Sequence, residues 1–209
     1  MTIQTIAPMT ELEAVNEMLE SVGQSPVSSL SAPIRDVNVA KKGLLKISRR
    51  VQLIGWHWNT DNAYVLTPDI DGFITLPEGV LRLDTTNRNE DLTARRRPGT
   101  EGPLSLYSRS AQSFTFTGPV AVKVIWGFTF EDLPEAARSY IAISAARKFQ
   151  ARFIGSTQLD GFNAEDEQSA WQQLVRDERA TRNTNLFRAN PRLNRSVNNR
   201  SGPYRRSYP

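Results

Sequence analysis

The spacing of apolar residues changes twice along this chain, and a fold of one element type cannot accommodate both changes. From Leu12 to Ile54 hydrophobic side chains recur every three or four residues; from Trp56 to Phe130 they fall in short β-prone runs broken by turn residues; after Asp132 the three-to-four spacing returns. A period near 3.6 turns one stripe of a helix toward a core, and alternation does the same for one face of a strand. The chain is therefore expected to be α+β. Residues 1–55 and 131–184 should form a core resembling a four-helix bundle, residues 56–130 a β-rich lobe inserted between the second and third helices, and residues 185–209 a basic flexible arm.

The helical signals are local and chemical. Thr10-Glu11-Leu12-Glu13 has the spacing of a capping box, Leu12, Val15, Met18, Leu19 and Val22 follow on one face, and Gly23 suits the C-terminal stop. A second helix is expected from about Asp36 to Ile54. Its seam of Val37, Ala40, Leu44, Ile47, Val51 and Ile54 is spaced 3,4,3,4,3, with Lys41, Lys42, Lys46, Arg49 and Arg50 mainly off it as an outer face, solvated or turned to an acidic partner. Asp132-Leu133-Pro134-Glu135 opens a third helix, expected to be the longest element, with Ala137, Tyr140, Ile141, Ala145, Phe149 and Phe153 as its apolar stripe. A fourth is expected to open near Asn163, with Glu165, Asp166 and Glu167 in its first turn and Ala170, Trp171, Leu174 and Val175 buried.

In the lobe the runs WHW, YVLT, FITL, VLRL, LSLY, FTF and VAVKVIWGFTF read as strands. Pro68 to Gly72 reads as a hairpin turn. Asn87 to Pro103 reads as a long exposed loop carrying Arg95, Arg96 and Arg97.

Charge is unevenly placed. The chain has 26 basic and 22 acidic residues, but residues 185–209 hold six arginines and no acid, so the preceding part is slightly acidic. A whole surface built for DNA is disfavoured, whereas an arm seeking an anionic or protein surface is expected. Phe187, Tyr204 and Tyr208 interleave with Arg188, Arg192, Arg195, Arg200, Arg205 and Arg206, a mixture suited to folding onto another protein rather than simply coating phosphates, with DNA as the rival contact. There is no cysteine, hence no disulfide or thiolate site. No apolar run approaches the ~18 residues of a membrane span, and the amino terminus lacks a basic segment followed by an apolar one.

Chemistry finds little foothold. His57, the one histidine, alternates with Trp56 and Trp58 and reads as a solvent-side strand residue, the two tryptophans sharing the other face. Asp69-Ile70-Asp71-Gly72 opens like a calcium loop, but its twelfth position is Val80, where a glutamate is required. No catalytic, cofactor-binding or metal residue is expected. Arg95 to Arg97 could grip the phosphates of DNA, although Glu90, Asp91 and Glu101 nearby fit a solvated loop or a protein contact better. Trp56, directly after Gly55, is expected to wedge the lobe onto the helices at a junction shared with Trp58.

The passages AVNEMLESVGQSPVSSL, LIGWHWNTDNAYVLTPDIDGFITLP and DLPEAARSYIAISAARKFQARFIGS together resemble the tail tubular protein A family of T7-like short-tailed phages. The likeness runs from about Thr10 to Val175 and is lost in NPRLNRSVNNRSGPYRRSYP. It implies a structural virion protein at the portal vertex, made in the host cytoplasm: a ring of twelve copies joining the portal to the tail nozzle, tubular protein B, with tail fibres nearby. DNA would pass through without sequence-specific binding, and no cofactor or membrane is implied. On the residues alone a second class stays open: a carbohydrate-binding or hydrolytic tail protein using the aromatic lobe around Trp56, Trp58, Tyr64 and Tyr107.

Overall fold

The computed structural model describes residues 6–86, 91–153 and 157–181. The architecture is α+β, with four helices and two small antiparallel sheets. Helix α1, Glu11–Glu20, starts on the expected capping box: the Glu13 amide donates to the Thr10 hydroxyl at 3.2 Å, and the Thr10 amide donates to the Glu13 carboxylate at 2.7 Å. It buries Ala14, Val15, Met18 and Leu19. Helix α2, Arg35–Gln52, buries five residues of the seam, Val37 to Val51. The sixth, Ile54, lies past the helix end and is half exposed, because Gly55 turns the chain away with φ of +83°.

Helix α3, Glu135–Phe153, packs against each of the other three helices. Ala137, Ala142, Ala145 and Ala146 are buried on it beside Ile141 and Phe149. A helix surrounded on several sides is apolar around much of its girth, and alanines let its neighbours approach closely. The expected stripe is correct as far as Phe149. Phe153 is instead 47 % exposed, its ring tilted on that of Phe149 at 4.5 Å.

Helix α4, Thr157–Thr181, begins six residues before Asn163 and, at 25 residues, exceeds the 19 of α3, so the third helix is not the longest element. Glu165 to Glu167 therefore lie inside α4 rather than in its first turn. Glu167 is used against α3, as described below.

Between α2 and α3 run β1 (Thr60–Leu66), β2 (Val80–Thr85), β3 (Leu92–Arg95), β4 (Ser105–Ser108) and β5 (Val120–Trp126). The larger sheet has the order β1-β5-β2, with Tyr64 opposite Val122 and Leu83 opposite Val124; β3 and β4 form the second. Val122 and Val124 join Leu66, Ile74, Leu76, Leu92 and Leu106 in a buried cluster separate from that of the helices.

Four expectations are corrected here. WHW is a 3-10 turn, His57–Asn59, because Asn59 is bonded back to the Trp56 amide instead of entering a ladder. FITL and FTF make only isolated bridges, Phe73 to Thr115 and Thr75 to Ser105. The Pro68–Gly72 turn is closed by the Asp69 carboxylate, which accepts from the Asp71 and Phe73 amides. It joins no hairpin, since β1 pairs with β5. The supposed loop from Asn87 to Pro103 contains β3, whose four residues pair with β4 and end on Arg95.

A β-carbon at Gly55 would lie 2.7 Å from Ile125 Cδ1, whereas at Gly23, also at positive φ, it would meet open space. Gly55→Ala is expected to destabilise the fold by ~1–3 kcal/mol. Gly23→Ala should cost less, and the difference between their urea midpoints isolates the contact with β5.

Candidate functional site

The helices and the sheets meet where α2 ends, and two buried amide side chains organise that point. Gln52 is 2 % exposed: its Nε2 donates to Ser48 Oγ at 2.9 Å and to the Phe128 carbonyl at 3.1 Å, while its Oε1 accepts from the Phe128 amide at 2.7 Å. Asn59, equally buried, donates to the carbonyls of Gln52 at 2.9 Å and Trp126 at 2.8 Å and accepts from the Trp56 amide at 2.9 Å. Every polar atom of the two amides thus has a partner, the condition under which buried polar groups hold a unique arrangement rather than weaken it. Both ends of the β segment, entering at Trp56 and leaving at Phe128, are fixed to the same turn of α2.

Trp56 is 5 % exposed and its indole N–H donates to the Val51 carbonyl at 2.9 Å. Its ring lies in the helical cluster, edge-on to Trp171 of α4 at 5.5 Å and stacked with Trp58 at 6.5 Å. The aromatic therefore packs helix to helix while its backbone serves the junction. His57 points to α4, where Glu178 accepts from its amide at 2.9 Å and contacts Nδ1 of its ring. Glu178, Gln52 and Asn59 escape sequence reading because the partners that tie them across the junction lie 67 to 121 residues away; a polar residue beside an apolar seam is the only local signal.

Between α3 and α4, Glu167 receives the Ser144 hydroxyl at 2.5 Å and the Arg147 guanidinium at 2.7 Å. Burial pushes the Glu167 carboxyl up, but the Ser144 and Arg147 contacts outweigh it and hold its pKa below the ordinary glutamate value. These groups line an open cleft with Arg50, Tyr140 and Trp171. Glu167, Ser144 and Arg147 hold α3 to α4, and their arrangement is that of a clamp.

The arginine triplet lies at the end of β3 and beyond. The Arg95 guanidinium sits over the Tyr107 ring at 4.4 Å and that of Arg97 over the Phe73 ring at 4.3 Å, while Arg96 donates to the Glu101 carbonyl at 3.1 Å. Cation–π contacts of this kind are worth about 0.5–1 kcal/mol at exposed sites. The aromatics missing from the local sequence are supplied by Tyr107 of β4 and by Phe73, both distant in the chain. Tyr64 packs on Trp126 and Tyr107 on Phe114, apart from Trp56 and Trp58, so the four aromatics of the lobe form no common platform. The arm residues Phe187, Arg188, Arg192, Arg195, Arg200, Tyr204, Arg205, Arg206 and Tyr208 lie outside the described residues. Among the described residues there is no cluster of side chains that could hold a metal ion, and no helix long and apolar enough to cross a membrane.

Two measurements test this reading. Trp56→Ala is expected to cost ~3–5 kcal/mol in chemical denaturation, as large-to-small changes in cores do. For Glu167 the folded pKa lies below the unfolded one, so its stabilisation is complete above the ordinary glutamate value and disappears as pH falls through the lowered one. Melting temperature should decline with acidification in that window, and Glu167→Gln should flatten the decline.

Residues 12–184, which run from the second residue of α1 past the end of α4 and include both sheets, match the family model described as tail tubular protein. The chain is also 31 % identical over 134 residues to Tail tubular protein A of Klebsiella phage KP34, an alignment covering 64 % of this chain and 68 % of that protein.

Proposed function

The chain belongs to the tail tubular protein family and is a structural protein of the bacteriophage tail, and from that premise we propose that its copies form a ring joining the portal to the tail nozzle around the DNA exit channel. The observation that carries the proposal is the extent of the family match, which includes the inserted β segment as well as the helices flanking it. A fixed junction between them suits such a role. The amide network at Gln52 and Asn59 ties both ends of the β segment to the end of α2, and a ring needs subunits whose contacts keep a constant angle so that the last closes on the first.

In this reading twelve copies assemble, the helical part forms the body of the ring, and the sheets offer a surface to the nozzle and fibres. DNA passes through the channel without being read. The arm from residue 185 to 209 grips the portal or the adjacent subunit, its guanidiniums on carboxylates and its aromatics in apolar notches. Arg95 to Arg97 stand at the sheet edge, where a nozzle or DNA contact would meet them.

Electron microscopy of the purified protein, alone and with its cognate portal, tests the ring. Closed rings in either sample are expected, and a monomer in both would remove the proposal. Deleting residues 185–209 should leave the remainder folded and soluble, with an unchanged melting temperature, and reduce its attachment to portal-bearing heads. Full attachment of the truncated protein with reduced DNA retention would instead assign the arm to the channel. DNA affinity would then fall with the logarithm of salt by a slope of ~0.9 per phosphate neutralised.

A further inference from the structure

Charge is segregated between two neighbouring helices of the same core. Helix α1 contains four glutamates and no lysine or arginine, whereas α2 contains three lysines and three arginines against one aspartate. On α1, Glu13, Glu17 and Glu20 lie at i, i+4 and i+7; on α2, Lys42, Lys46 and Arg49 lie at the same intervals. Each set is therefore one stripe about 10 Å long at 1.5 Å per residue.

The basic stripe borders a groove of about 900 Å³ between α2 and α3. Leu45, Leu53 and Phe149 line it, the first two 51 % and 41 % exposed, and Lys148 and Arg152 of α3 complete its rim. Among the described residues no carboxylate pairs with any of these five cations. Burial lowers the pKa of Lys148, and so do the neighbouring Arg50, Arg147 and Lys46, with Glu167 opposing them. The acidic stripe lies on α1, where Glu17 borders a second groove together with Arg147 of α3 and Asp166 of α4. Burial there and the nearby Glu20 raise the pKa of Glu17. The basic groove has no carboxylate in its lining among the described residues, and α1 has no cation of its own, so each stripe would be relieved by the other.

We infer that the α2–α3 groove is the seat of a second copy of this chain, which lays its α1 glutamate stripe along the Lys42, Lys46 and Arg49 stripe. The inference rests on the ring reading above and names the surfaces that would close it. Matching intervals allow three charge pairs to form together. The contact joins two different faces, so each subunit keeps one face free for the next copy, as a head-to-tail ring requires. A phosphate backbone would satisfy the cations but leave Leu45 and Leu53 uncovered, which favours a protein occupant over DNA.

Two double variants of the full chain test this: Lys46→Glu with Arg49→Glu, which sets two like charges of the α2 stripe against the α1 glutamates, and Glu17→Lys with Glu20→Lys, which sets two like charges of the α1 stripe against the α2 cations. Glu13 is left alone because it caps α1. Each variant should keep the wild-type melting temperature and circular dichroism, and each alone should yield at least tenfold fewer rings by electron microscopy under conditions where the wild type forms them. Mixed in equal amounts, the two should recover rings of alternating subunits. Rings from either variant alone, or no recovery on mixing two folded variants, would overturn the interface. Retained rings with lost DNA retention in the first variant would assign the groove to DNA. A wild type that never assembles, with or without portal, would fail the ring reading itself.

Discussion

Everything beyond α2 is positioned by the two amides, Gln52 and Asn59. The chain leaves the helices at Trp56 and does not return until Phe128, and both crossing points are bonded to this pair. An unsatisfied amide in such a place would cost about 1–3 kcal/mol for each orphaned group. With all partners present the pair fixes the exit of β5 against the end of α2, which in turn sets Phe130 and Leu133 in the helical cluster and starts α3 at the correct angle. Apolar packing supplies most of the driving force for burial, but it tolerates sliding. The directional bonds do not.

The helices were largely legible because their determinants are close in sequence. The Thr10–Glu13 box, the 3,4,3,4 seam of α2 and the Asp132-to-Glu135 opening each declare an element within a few residues. The start of α4 is not legible, because acids at Glu165 to Glu167 resemble a first turn, whereas Glu167 serves Ser144 and Arg147 on another helix. In the β region the alternating runs marked β1, β2, β4 and β5, but pairing could not be read: β1 and β2 both border β5, so the central strand is the last in sequence. Strand β3 was hidden beneath an arginine triplet that looks like loop until Tyr107 and Phe73 are placed beneath it.

The same distinction runs through the candidate site. Trp56 was visible as an anchor because a tryptophan after a helix-ending glycine is conspicuous, yet its destination in the helical cluster depends on Trp171, 115 positions away in the chain. Gln52, Asn59 and Glu178 gave no comparable signal. Surface chemistry was partly legible: the cations of α2 were evident as an outer face, but only the packing of α1, α2 and α3 shows that opposite charges border different grooves.

The adjacency of Trp56 and Phe128 also governs how the chain reaches this structure. For α2 to meet α3 from an extended chain, a segment of more than 80 residues must be drawn into a loop, with an entropic cost that grows with the logarithm of its length. Once β1 has paired with β5, with Thr60 opposite Ile125, the open connection is reduced to the few residues at either side of that ladder. Closing the sheet therefore brings the two halves of the helical core together before they touch. Long-range β pairing is slow to form, so a protein whose longest elements are helices is expected to fold at the pace of a β protein.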